Sequence, residues 1–173
     1  MRAAAVLACL FLASTLTVGR ANIVDVATGA GLNYLIAAVQ YAGLSSAVTG
    51  FTSGTILAPT DAAFRKAFAE LNVTSPTEVP AALVAEVLSY HVIPQTIKAA
   101  EFTDGEELEP LGPPSATITV SVADGNVVFE PSSGITPATV IVPDVAVPGT
   151  DVIVHVIDEV LIPIEVAEMV GLV

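Results

Sequence analysis

The apolar residues of this 173-residue chain change their spacing once, near residue 100, and that change limits the fold more than any other feature. Between Asn22 and Ala100 they recur mostly at the spacing of a helix face. From Ala116 to Pro163 they are β-branched and largely alternate with small or polar residues. Helices come first and strands later, which predicts an α+β architecture rather than alternating βαβ units.

Within the first half, Leu32, Leu35, Ile36 and Val39 form one stripe of a helix, with Gly43 as its stop. Thr55 to Leu57 reads as a short buried strand. Pro59-Thr60-Asp61 then opens a second helix with Phe64, Phe68 and Leu71 on its apolar face; either Thr60 or Asp61 is placed to accept from the free N–H groups of the first turn. For Asp61 that capping role outweighs a surface contact. A third helix begins near Pro80 and lines up Leu83, Val84, Val87, Leu88 and His91; Pro94 stops it or the strand that follows. In the second half, Asp124-Gly125 between two β-branched runs predicts a tight hairpin. Further strands are expected at Thr139 to Val142 and Val152 to Ile157, with Pro137, Pro143, Pro148 and Pro163 bounding rather than interrupting them.

The first 21 residues read as a secretory leader. Arg2 precedes the apolar run Ala3 to Val18, which is shorter than the roughly 20 residues a spanning helix needs, and Gly19-Arg20-Ala21 places small residues at a cleavage site. Cleavage after Ala21 removes Cys9, the one cysteine, so no disulfide is available and a core must hold the domain alone. The domain is expected over residues 22–165, followed by a short C-terminal tail, 166–173. All 18 acidic residues lie beyond Ala21, against Arg65, Lys66 and Lys98. Such a balance repels nucleic acid and anionic membranes and suits a solvated extracellular protein. No transmembrane segment is expected in the mature chain.

Catalytic signatures are missing: there is no nucleophile elbow, Gly-rich phosphate loop or histidine-pair metal motif. Two distant histidines and no mature cysteine argue against a zinc site. The acidic run Glu101, Asp104, Glu106, Glu107, Glu109 lacks the ligand spacing of a calcium loop. The sequence points to a non-enzyme without metal or cofactor.

Three segments carry a resemblance. Thr55-Ile-Leu-Ala-Pro-Thr-Asp-Ala-Ala-Phe64 is similar to the first signature of fasciclin domains, and Val154-His-Val-Ile-Asp-Glu-Val-Leu-Ile-Pro163 to the second. Between them, Leu88-Ser-Tyr-His-Val-Ile-Pro94 resembles the family's central tyrosine–histidine segment. The resemblance implies a fasciclin-like fold, a helical cluster packed on a twisted β-sandwich or wedge. It also implies a secreted, non-enzymatic role in adhesion, with an extracellular receptor, a matrix protein or a cell-wall component as partner.

Four places follow as candidate sites. The resemblance links Tyr90 and His91 to receptor recognition, although their apolar neighbours favour a structural role. Asp144-Val145 stands where adhesive relatives carry aspartate followed by isoleucine; an exposed Asp144 would complete the coordination of a receptor-held cation, and a solvated aspartate is the equal alternative. His155 is either a satisfied structural residue or part of an apolar ligand groove. That groove belongs to a second reading, a secreted carrier of an apolar small molecule such as a carotenoid, which the resemblance also allows. Asn72-Val73-Thr74 is an N-glycosylation acceptor sequence. One domain alone would adhere weakly, so weak self-association is expected to raise avidity.

Overall fold

The computed structural model describes residues 23–172; the expected leader and its cleavage site lie outside them. The chain runs through α1 (Ile23–Gly29), α2 (Asn33–Tyr41), α3 (Ser45–Gly50), β1 (Ser53–Pro59), α4 (Asp61–Glu70) and α5 (Ala81–Tyr90). After these come β2 (Val92–Ile93), β3 (Glu107–Leu108), β4 (Ile118–Ala123), β5 (Asn126–Pro131), β6 (Ala138–Ala146), β7 (Asp151–Ile157) and α6 (Ile164–Val170). The architecture is α+β, with helices first and strands later.

The strands form one curled seven-stranded sheet in the order β2, β1, β7, β6, β5, β4, β3. β1 and β7 pair in parallel, Ser53 opposite Asp151 through Pro59 opposite Ile157, and the other neighbours are antiparallel. This central parallel pair is buried on both faces, which is why both strands are almost continuously apolar. Alternation along the strand divides the core in two. Ile56, Ala58, Val152, Val154 and Val156 face the helices, whereas Leu57 and Ile157 face a second core inside the curl with Tyr90, Ile118, Phe129 and Leu161. The hairpin between β4 and β5 turns on Asp124 and Gly125, both at positive φ (53° and 80°), as the dipeptide predicts.

The helix caps differ from expectation in one respect. Thr60 caps α4, its hydroxyl accepting from the Ala63 N–H at 3.2 Å. Asp61 serves a different helix: its carboxylate accepts from the Tyr34 N–H at 2.9 Å and from the Asn33 amide at 3.1 Å. The N-terminus of α2 follows Leu32, which has no capping side chain, so α4 supplies the missing acceptor from 27 residues away. Tyr34, Phe64 and Phe68 stack tilted or edge-on beside it, with ring centroids 5.6–6.3 Å apart, and fix α2 against α4.

Two further expectations are corrected. Pro143 lies inside β6 rather than at its end. The strand shifts register against β7 between Val140 and Val142 and again between Val142 and Val145, and it pairs with β5 only at Ala138 and Thr139. At a bulge with a free outer edge, a residue without an N–H leaves no ladder bond unmade. The tail expected from residue 166 is instead most of α6, whose Val166 and Ala167 are buried in the helical core.

Candidate functional site

Both histidines are clips between backbone segments. His91 follows α5 and is only 2% exposed. Its Nδ1 lies 2.6 Å from the Val87 carbonyl, and its Nε2 accepts from the Leu161 N–H at 3.1 Å. The carbonyl requires a donor and the N–H an acceptor, so the ring is the neutral Nδ1–H tautomer. Burial pushes its pKa down to about 4, against a smaller upward pull from the Val87 carbonyl. His155, in β7, is fully buried in the opposite tautomer. Its Nδ1 accepts from the Asp144 N–H at 3.2 Å, and its Nε2–H donates to the Ile97 carbonyl at 3.0 Å. Burial lowers its pKa as well, opposed by the Ile97 carbonyl and the Asp144 charge.

Tyr90 is fully buried, its hydroxyl donating to the Thr117 carbonyl at 2.6 Å and accepting from the Ser132 N–H at 3.1 Å. Burial raises its pKa and keeps it a neutral donor. Tyr90 and His91, linked by the resemblance to receptor recognition and by their apolar neighbours to a structural role, both lie in the interior. Their polar atoms are consumed inside the protein, where apolar neighbours make an unpaired group costly. Since backbone groups occupy all four imidazole nitrogens, neither ring is free to serve as a general base. Among the described residues, no group of three or more His, Cys, Asp or Glu is placed to hold a metal ion.

Asp144 is exposed, on the bulged outer edge of β6, with Val145 half-buried beside it. Its φ of 56° is left-handed, a conformation aspartate tolerates better than most residues. One carboxylate oxygen accepts from the Ala99 N–H at 2.8 Å, at the start of a 3-10 turn over Ala99–Glu101. Ile141 and Val142, 50% and 46% exposed, stand three and two residues before it on the same strand. Asn72, likewise exposed and at positive φ, follows α4, and the Thr74 hydroxyl of its acceptor sequence donates to Glu78 at 2.5 Å.

An apolar groove of about 260 Å³ opens on the helical side. Ile23 and Ala27 of α1, Leu35 and Val39 of α2, Val48 of α3, Phe51, Ile56 of β1 and Leu88 of α5 line it. Its polar lining comes from Gln40, Ser45, Ser89 and His91; no lysine or arginine among the described residues reaches it. His155 is not among its walls, because its face of β7 turns to the inner core, away from the helices. Of the two roles open to His155 in the sequence, a satisfied structural residue or part of a groove, its placement fits the first. The usable signal was the parity of β7: Val154 and Val156 face the helices, and His155 between them cannot.

The fold is that of a curled sheet backed by helices, and its site features are an exposed carboxylate on a bulge and an apolar groove. The fasciclin domain family model matches residues 30–163, and the chain belongs to that family. It is 33% identical over 143 residues to Protein sll1483 of Synechocystis sp., an alignment covering 82% of this chain and 73% of that protein. The fold is similar to that of a FAS1 domain pair from the insect cell adhesion molecule Fasciclin I, with a TM-score of 0.62 and 19% identity. That likeness covers 78% of this chain, and the chain spans 46% of the length of the insect structure.

Proposed function

We propose that this is an extracellular, non-enzymatic binding domain acting in adhesion or in attachment to matrix or cell wall. Asp144 carries the reading: a carboxylate held in a left-handed bulge, exposed, on the same strand as the uncovered Ile141 and Val142. Hard cations and basic groups both take such an oxygen, and the uncovered apolar side chains give a partner surface to bury. Family membership and a likeness to a cell adhesion molecule support the same reading. So do the leader expected over residues 1–21 and the scarcity of basic residues beyond it, both suited to secretion. No helix among the described residues is long and apolar enough to cross a membrane. Asn72 is the expected attachment point of a glycan, and weak self-association would supply the avidity one domain lacks.

The test is capture of a partner from the protein's own extracellular material by the mature chain and by its Asp144→Asn variant. Loss of a charge-assisted contact corresponds to about a tenfold or greater drop in retention. Equal retention by the two would overturn the assignment to Asp144.

The groove favours a second reading, a secreted carrier of an apolar small molecule such as a carotenoid. An engineered apolar cavity of about 150 Å³ binds benzene, so a groove of this size encloses one end of a larger molecule. With no lysine or arginine in its lining, an uncharged ligand suits it better than a fatty acid. Native protein should then carry a chromophore or take up added pigment; persistent absence of both counts against it.

A further inference from the structure

We propose that His155 is the positioning residue for Asp144. The buried imidazole holds the bulge that presents this carboxylate, and protonation of the ring draws the carboxylate off Ala99 and onto the imidazolium. For its consequence in binding, the proposal rests on Asp144 being the contact residue.

The geometry is a closed loop of contacts. His155 donates to the carbonyl of Ile97 and accepts from the N–H of Asp144, while the Asp144 carboxylate accepts from the N–H of Ala99. The same three-residue stretch, 97–99, is thus tied at one end by the ring and at the other by the carboxylate. Phe102 packs edge-on against the ring, with centroids 5.5 Å apart, and itself packs against Phe129 at 5.2 Å, which resists rotation of the imidazole. The left-handed backbone of Asp144 lies where the ring nitrogen takes up its N–H. A satisfied bulge on a free strand edge accounts for a non-glycine residue holding this conformation.

Neutrality of His155 is a condition of this arrangement. A proton taken up from solvent lands on Nδ1, since Nε2 already carries one. That nitrogen then donates toward an N–H, and the bond holding the bulge is lost. Asp144 is the anion acting on the ring from β6. The turn that supplies Ile97 contributes Lys98 and Glu101, both exposed; β1 on the other side has no charged residue, and Phe102 and Phe129 are apolar. Asp151 opens His155's own strand, and Asp158 follows its last residue. The Asp144 carboxylate therefore offers the replacement acceptor, and moving to it vacates the Ala99 N–H. Acid converts a fixed, outward carboxylate into one folded back against its own strand.

The experiment is an NMR titration of the mature protein from pH 7.5 to 4.5, following the His155 ring and the backbone amides of Asp144 and Ala99. Both amides should shift with the midpoint of the His155 ring, below the ordinary histidine value. In Asp144→Asn, an exposed change that tolerates the left-handed backbone, the ring midpoint should fall further and the Ala99 amide should stop responding. His155→Gln should leave both amides flat over the same range. Fixed Asp144 and Ala99 amides while His155 titrates would overturn the proposal, as would a ring that stays neutral until the protein unfolds. Capture at pH 7.5 by Asp144→Asn tests the contact residue separately, so either idea can fail alone.

Discussion

Lowering the pH from 7 to 5 should cost this domain stability, and His91 sets the size of the loss. The ring is 2% exposed, and its Nε2 faces the Leu161 N–H, so the protonated form would oppose a donor with a donor. Its pKa in the folded protein is about 4, against 6.5 for an unperturbed histidine. A group depressed in this way contributes stability that is complete above the unfolded value and is lost as pH falls toward the folded one. Between those values the unfolded chain binds the extra proton, so the stability of the fold rises with pH. A shift of this size corresponds to about 3 kcal/mol over the whole window, of which about 2 kcal/mol is already lost at pH 5. His155 is shifted in the same direction and adds to the slope. Urea unfolding at pH 7, 6 and 5 measures the effect, and His91→Gln isolates it by removing the titrating group. A slope unchanged in the glutamine variant would refute the reasoning. Should that variant fail to fold, a wild-type stability constant to within half a kcal/mol between pH 7 and 5 would refute it equally.

Two substitutions probe the remaining buried polar contacts. Tyr90→Phe keeps the ring but leaves the Ser132 N–H and the Thr117 carbonyl without their partner; a loss of about 1–3 kcal/mol by urea unfolding is expected, and no loss would mean that water or a backbone shift satisfies both. Asp61→Ala removes the carboxylate that caps α2 and should cost about 0.5–2 kcal/mol, with faster hydrogen exchange at the Tyr34 amide; protection lost only in α4 would show that Asp61 serves its own helix instead.

The interior histidines and the surface aspartate belong to one design. Each imidazole replaces backbone hydrogen bonds that regular secondary structure cannot supply at that place: His91 where the chain leaves β7 for Leu161, and His155 where β6 departs from its ladder. With a single cysteine in its sequence the chain can form no internal disulfide, and its irregular segments are tied by polar side chains. The same economy links Asp61 to α2 and Ser133 to the Ile162 carbonyl, the latter at 2.6 Å.

The order of helices and strands, the Asp124-Gly125 hairpin, a cap for α4 from Thr60 or Asp61 and the three fasciclin-like segments were legible in the residues, because local spacing and turn chemistry act within a few positions of the chain. The helices α1 and α3 were not read, since seven and six residues are too few to display a helical period. Sequence alone also determined the acidic balance. Tertiary structure decided what each polar residue touches. Asp61 lies 27 positions from the helix it caps, His91 70 positions from the Leu161 N–H, and Asp144 45 positions from Ala99. It also decided that Asp144 is exposed while Tyr90 and His91 are buried, and that the groove passes His91 and not His155. Those outcomes depend on the register of β1, β6 and β7 and on how helices distant in sequence close over the sheet, which no local pattern encodes.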